Sequence, residues 1–400
     1  MQLQVKTSTR YYLIGRFFDG ISSGLFMMAL PWIMLETPNM GGFVAMVAFG
    51  CTAISFVMTP VFSTFIDRCS RKKILVWVQC IQASVAAITA LFYGFGYGSE
   101  WVLAAVQLVF WTSSNLAWST NNAFTQENFE QDEYAAISGK QEIVMQATTL
   151  GAGALGVVLL DIWSMVGFSF FAAISSLIAS FSYLLTPYRR KLATASSVNF
   201  VAQMKESKQI FTLRPHFYAF LMLSALSYPV LTFLTKLVPI WFSEAEISGE
   251  WFAGYNIAFG MGSLVTGLFV QRLLKLASYR IIMIVSMGAA SIMLMGMSVS
   301  FLPHLLLLFT FFFGTFNALN RIARTNLMHH SISIDQRGRA DGGLQMFATL
   351  AQSISYVAIA GLSYYDITQL GFLLAAGVMV CAVILMLYLN KQTGLIMEIA

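Results

Sequence analysis

The sequence predicts an all-α membrane protein of twelve transmembrane helices in two six-helix bundles, and three observations carry that prediction. The 400 residues are 58% hydrophobic and only 10% charged, against roughly 25% charged in a soluble domain. Apolar windows of about 20 residues, the length that crosses roughly 30 Å of hydrocarbon, recur along the whole chain. Lys and Arg occupy only alternate connections between them. A soluble globule this apolar would expose too much hydrocarbon to stay dissolved, whereas a lipid-facing surface needs no charge. A β-barrel would show segments of about ten residues with alternating polarity, and the sequence has none.

Taken in order, the first window runs near 11–35 and is followed by a connection holding Glu36 but no Lys or Arg. The second, 42–66, leads into Arg68, Arg71, Lys72 and Lys73; the third, 74–96, into Glu100. The fourth, 101–124, is diluted by Asn and precedes an acidic patch of Glu127, Glu130, Asp132 and Glu133. The fifth and sixth, 140–160 and 163–186, are separated by a tight turn at Asp161. Next comes the longest connection, 187–214, with Arg189, Arg190, Lys191, Lys205 and Lys208.

Six more windows follow near 216–242, 250–271, 279–301, 304–325, 341–362 and 367–390, the tenth again diluted by Asn. Their connections alternate between Glu244, Glu246 or Asp366 on one side and Arg272, Lys275, Arg337 and Arg339 on the other. Cationic connections stay in the cytoplasm, so both termini, with Lys6 and Arg10, are expected there. This asymmetry accounts for the net charge of +5, leaving no case for a nucleic-acid partner. The domains expected are residues 1–186, a cytoplasmic linker 187–214, and 215–400. The linker is read as a solvated connection.

Cys51, Cys69, Cys80 and Cys381 have no paired spacing, so neither a disulfide framework nor a metal site is expected. The opening MQLQVKTSTR enters the first window without a small-residue cleavage site, so that window is read as retained. The halves echo each other: Asn115 aligns with Asn317, Glu133 with Asp335, and AFG at 48–50 with AFG at 258–260. A six-plus-six repeat is the layout of carriers that bind cargo near the bilayer midplane.

Between the second and third windows, PVFSTFIDRCSRKKILVW (60–77) carries Asp67, Arg68, Arg71 and Lys72 in a short connection. It resembles the signature loop of the Major Facilitator Superfamily, with Ser63 and Ser70 where that loop has glycines. GRFFDGISSGLFMMALPW resembles the opening helix of the family's drug and siderophore exporters, matching at Arg16 and at Ala29, Leu30 and Pro31. TLGAGALGVVL (149–159) is similar to a degraded antiporter motif that keeps Gly156. The resemblance implies alternating access and proton antiport. On physical grounds the loop can act as a latch: Asp67 can face a helix N-terminus, and its basic neighbours can reach the acidic patch. Alternatively, Arg71, Lys72 and Lys73 merely orient the span.

An ionised side chain at mid-membrane costs about 2.5–3.5 kcal/mol, so each one calls for a reason. Arg16 and Asp19 are three apart, share a helical face with Ser23, and can pair. Asp19 is the candidate proton carrier, its proton affinity pulled in opposite directions by burial and by Arg16. Lys236 shares a face with Tyr228 and Thr232; Trp111, Asn115, Trp118 and Asn122 share one in the fourth window, Asn317 and Arg321 one in the tenth. Arg324 reads as an ordinary flanking cation.

Three cations, Arg16, Lys236 and Arg321, face one acid, so the expected cargo is a small organic anion recognised by charge-assisted hydrogen bonds. A carboxylate siderophore exported in exchange for protons is the specific expectation. Alternatives are efflux of amphiphilic drugs held by Trp111, Trp118 and the Phe-rich walls, or proton-coupled uptake of a metabolite. A non-transporting receptor would lack coupled proton flux. No Walker A run or H-E-x-x-H occurs, so neither direct ATP drive nor enzyme activity is expected. The energy source would be the proton gradient, with no cofactor. The setting would be the bacterial inner membrane, with lipid around a monomer.

Overall fold

The computed structural model describes residues 2–36, 41–188, 209–244, 249–300, 302–365 and 367–399. Among these, the long elements are all helices: α1 (Gln2–Glu36), α2 (Gly41–Arg68), α3 (Arg71–Gly94), α4 (Glu100–Asn128), α5 (Tyr134–Leu185), α6 (Pro215–Ala225), α7 (Ser227–Glu244), α8 (Gly249–Leu273), α9 (Tyr279–Ser298), α10 (Pro303–Ser331), α11 (Arg337–Tyr364) and α12 (Leu370–Ile399). A short 3-10 turn, Ile334–Gln336, precedes α11. All twelve expected windows are helical, and eight stretches are long and apolar enough to cross a membrane. The windows at 101–124, 140–160, 250–271 and 341–362 fall outside those eight. Polar residues dilute the first and last of these, among them Asn115, Asn121 and Asn122, and Gln345 and Gln352. The linker charges Arg189, Arg190, Lys191, Lys205 and Lys208, with Glu246 and Asp366, lie outside the described residues, as do the side chains of Lys6, Glu36, Asp161 and Glu244 and the surroundings of Gly156.

Two interruptions differ from the sequence expectation. α5 runs through Ser164, whose φ of 57° and ψ of 171° break the helix in a region a non-glycine residue rarely occupies. The turn between the fifth and sixth windows therefore falls at Ser164 rather than Asp161. The seventh window, expected as one span, is two helices meeting at Leu226. Pro229 explains the break, because it lacks an N–H and its ring crowds the carbonyl four residues back, that of Ala225. Disturbed backbone inside a membrane needs neighbouring donors. Ser224 O accepts from Asn320 Nδ2 at 3.1 Å and Arg324 Nη1 at 2.8 Å, while Ser224 Oγ donates to Asn320 Oδ1 at 2.8 Å. Arg324 is thus a structural donor to the broken helix, not a flanking cation.

The chain divides into two compact units. Unit 1 comprises Met1–Gln131, Val144–Met204 and Ser333–Gly342; unit 2 comprises Asp132–Ile143, Lys205–Ile332 and Gly343–Ala400. The start of α5 therefore belongs with unit 2, and the start of α11 with unit 1.

The core of unit 1 joins α1, α3, α4 and α5 through Leu25, Phe26, Leu30, Ala86, Phe110 and Phe168. Phe26 stacks on Phe110 at 4.6 Å and on Phe168 at 5.8 Å, contacts worth about 0.5–1.5 kcal/mol each beyond area burial. Ser22 Oγ donates to Ala172 O at 3.0 Å, tying α1 to α5. In unit 2, α8 crosses α10 at backbone contact: a Cβ on Gly262 would lie 2.0 Å from Phe311 O, and one on Gly314 2.3 Å from Phe259 O. Ser263 Oγ donates to Gly314 O at 3.1 Å and Thr266 Oγ1 to Thr315 O at 2.9 Å across this crossing. Small residues let helices approach closely where lipid supplies no hydrophobic drive, and hydroxyls then bond across the gap.

Candidate functional site

In unit 1, α1 holds Arg16 and Asp19 one turn apart inside its membrane stretch. Both side chains are largely buried, at 13% and 6% exposure, and their nearest atoms are 3.5 Å apart. The carboxylate has more than its arginine. Gln79 Nε2 of α3 donates to Asp19 Oδ1 at 2.8 Å, and Tyr183 Oη of α5 donates to Oδ2 at 3.4 Å. Ser23 turns back on its own helix, donating to Asp19 O at 2.7 Å. Three helices thus share one ionisable group, which is how a buried charge is tolerated.

Above this cluster Tyr12 Oη donates to Asn121 Oδ1 at 3.1 Å, linking α1 to α4. Of the aromatic and amide residues expected on α4, Asn115 Nδ2 donates to Ser55 Oγ of α2 at 3.0 Å. Trp111 and Asn122 are half-buried, and Trp118 is exposed. Gln79, Tyr183 and Asn121 escape a sequence reading that follows charges. The available signal was a pair of glutamines, Gln79 and Gln82, at helical spacing in the apolar run ILVWVQCIQASV.

In unit 2, Asn317 is buried in α10 one turn before Arg321. Arg321 Nη2 donates to both carboxylate oxygens of Glu142, at 2.7 and 2.6 Å, with Glu142 buried. The charge count changes accordingly: Arg321, expected as a cation facing cargo, is neutralised by an acid at the start of α5. Ser138 Oγ, one turn earlier, accepts from Asn326 Nδ2 at 3.1 Å, and the Tyr134 ring lies 4.8 Å from that of His329. Tyr228 and Lys236 are both exposed on α7.

The signature loop forms a second, denser cluster in unit 1. Asp67 Oδ1 accepts from Gly338 N at 2.6 Å, and Oδ2 accepts from Arg339 N at 3.1 Å and Arg339 Nε at 3.0 Å. The carboxylate therefore sits on the first turn of α11, where orphan N–H groups and the helix dipole favour negative charge. Gly338 permits the approach, since a Cβ there would lie 2.5 Å from Ser63 O. Arg71 is fully buried, 3.9 Å from Asp67 and 3.8 Å from Glu127, and donates to Ala123 O at 3.0 Å and also to Ile334 O.

Lys72 Nζ donates instead to the carbonyls of Leu184 and Thr186 at 2.7 and 2.8 Å, at the C-terminal end of α5. Arg68 lies half-buried at the end of α2. Tyr188 Oη donates to Glu127 Oε2 at 2.5 Å; burial, then this bond, holds its hydroxyl above the ordinary phenol range, so it stays protonated at physiological pH. Arg337 completes the group by donating from Nε to Asp341 Oδ2 at 2.9 Å.

Ionisable pairs buried inside apolar spans mark a functional pathway in a helical membrane protein rather than a lipid-facing surface. The chain belongs to the Major Facilitator Superfamily, whose family model matches residues 12–275. Macrolide efflux protein A of Streptococcus pyogenes is 22% identical over 308 residues, covering 73% of this chain and 72% of that protein. The protein of the same name from Enterococcus faecalis is 23% identical over 255 residues, 61% of this chain and 75% of its own length. Among solved structures, a bacterial homologue of the iron transporter ferroportin in an outward-facing state superposes with a TM-score of 0.79 at 13% identity, covering 96% of this chain and 99% of that one. The human organic anion transporter MFSD10 gives a TM-score of 0.75 at 12% identity, covering 95% and 99%. At such identities the structural likeness speaks for the fold.

Proposed function

We propose that this transporter exports small amphiphilic organic compounds by alternating access, in exchange for protons. The observation that carries the proposal is the cluster of Arg16, Gln79 and Tyr183 around Asp19. A carboxylate held inside a span by groups from three helices is costly, and proton carriage gives that cost a use. Protonation would remove the charge that Arg16 and Gln79 satisfy and so bias which arrangement of the helices is stable. The efflux proteins similar to this chain support the outward direction. Trp118 in unit 1 and Tyr228 in unit 2 are each exposed aromatic side chains.

A polycarboxylate such as a siderophore is the second reading, favoured by the exposed Lys236 ammonium. Of its three expected cations, Arg16 is paired with Asp19 and Arg321 with Glu142, so Lys236 alone would carry it. Inside-out vesicles carrying the protein test the main reading. An inward-acidic pH gradient is expected to drive accumulation of amphiphilic dyes, abolished by a protonophore. Accumulation equal to that of empty vesicles would remove it, and selective movement of citrate-like polycarboxylates would favour the second.

A further inference from the structure

Asp19 sits where side chains have little room to move. α1 passes α5 at two glycines, one on either side of it: a Cβ on Gly15 would lie 2.7 Å from Tyr183 Cε1, and one on Gly20 2.5 Å from Thr148 Oγ1. Asp19 and Gln79 are both buried. A change of charge on the carboxyl is therefore met by the groups already around it.

Three side chains bond the carboxyl, and they are not equivalent. Arg16, 3.5 Å away, has only N–H donors, so its bond suits the ionised form. Tyr183 Oη has lone pairs as well as a proton, but at 3.4 Å from Oδ2 it stands outside the roughly 2.5–3.0 Å of a hydrogen bond between two oxygens. Neither is placed to accept a proton carried by Asp19. Gln79 is closer, at 2.8 Å from Oδ1, and its amide has an acceptor as well as donors.

That acceptor is idle beside an ionised carboxylate. Gln79 Oε1 is buried and has no hydrogen-bond partner among the described residues. An unmet buried acceptor costs free energy, so it calls for a reason. Half a turn about the last side-chain bond exchanges the amide oxygen and nitrogen, two atoms of similar size, without displacing either helix. In one orientation Nε2–H donates to Oδ1 of the carboxylate; in the other Oε1 accepts from Oδ1–H of the acid, and 2.8 Å suits both bonds.

We propose that Gln79 is a hydrogen-bond switch for Asp19, reversing its amide as the carboxyl gains and loses a proton. A proton taken from water onto Oδ1 forms the O–H that Oε1 accepts; its return to water restores the carboxylate and the bond from Nε2. Of the three partners, Arg16 alone loses its counter-charge on protonation. This role rests on the proposed proton carriage by Asp19 and adds the residue that keeps its carboxyl bonded in both states.

The test is infrared difference spectroscopy, acidic minus neutral, on the full chain in lipid, with wild type, Asp19→Asn and Gln79→Leu side by side. Wild type is expected to show a protonated-carboxyl C=O band that Asp19→Asn lacks. Placing a heavy carbon isotope at the side-chain carbonyl of glutamine should shift an amide band in the same spectrum, and both variants should lose that response. In Gln79→Leu the Asp19 band should move to higher frequency, because an acid without an acceptor for its proton has a stiffer C=O bond. An Asp19 band that stays in place in Gln79→Leu, or a wild-type carboxyl band with no amide response, overturns this proposal alone. No Asp19 band down to the lowest pH at which the fold survives overturns proton carriage and this proposal with it. If Gln79→Leu elutes as aggregate, Gln79→Met, which also lacks the amide, replaces it with the same expected shift.

Discussion

Asp67→Ala will cost this protein about 3–5 kcal/mol, the usual penalty for removing one partner from a buried ion pair. Three arginines, Arg71, Arg337 and Arg339, are buried with three acids, Asp67, Glu127 and Asp341, so the cluster is electrically balanced. Removing Asp67 leaves one buried positive charge in excess and strips Gly338 N and Arg339 N of their acceptor. Against a total stability of about 5–15 kcal/mol, that is a large fraction. The thermal midpoint read by size exclusion after heating should fall by about 4–6 °C, at about 2.1 cal/mol/K of unfolding entropy per residue. Asp67→Asn, which keeps one acceptor oxygen, should lie between wild type and the alanine variant. An unchanged midpoint for the alanine variant would mean that the Asp67 contacts contribute nothing net.

Glu142→Gln comes second, at about 2 kcal/mol, because Arg321 is 21% exposed and water partly compensates it. The variant loses a bidentate charged pair and leaves the guanidinium beside a neutral amide. Arg321→Gln alone should cost a comparable amount by stranding buried Glu142. The double variant should cost less than the sum, giving a coupling of at least about 1 kcal/mol. Strict additivity in the same thermal assay would show that the two short hydrogen bonds are energetically idle.

These two clusters also mark how far the sequence could be read. Helix positions were legible because about 20 apolar residues have few other uses, and the Arg16–Asp19 pair was legible because three-residue spacing puts both on one face. Glu142 was not recognised as the partner of Arg321, since the two are 179 residues apart and nothing local in either segment points to the other. Asp67 was legible as a residue that meets a helix N-terminus, but not that the helix would be α11, 271 residues on. Glu127 stood out in an acidic patch, whereas its donor Tyr188 did not, because a tyrosine after a span resembles an interfacial anchor.

Breaks in helices were the hardest to place. Pro229 carried a signal in plain view, yet an apolar window masks a broken helix when neighbouring side chains such as Asn320 and Arg324 repair the backbone. At Ser164 there is no proline or glycine at the break itself, and the acidic Asp161 nearby drew the boundary toward it. Neutral polar residues give a weaker signal than charges. Gln79 and Tyr183 complete the Asp19 site but carry no charge that a count would register.

In the proposed transport cycle Asp19 carries the proton that drives export. Reconstituted vesicles bearing Asp19→Asn should still exchange labelled for unlabelled amphiphile across the membrane, because exchange needs no net proton movement. Accumulation against a gradient should fall at least about tenfold, and the proton efflux from the lumen that cargo triggers should vanish. If the asparagine variant accumulates cargo as wild type does, with proton efflux intact, Asp19 is a structural ion-pair partner and the coupling group lies elsewhere.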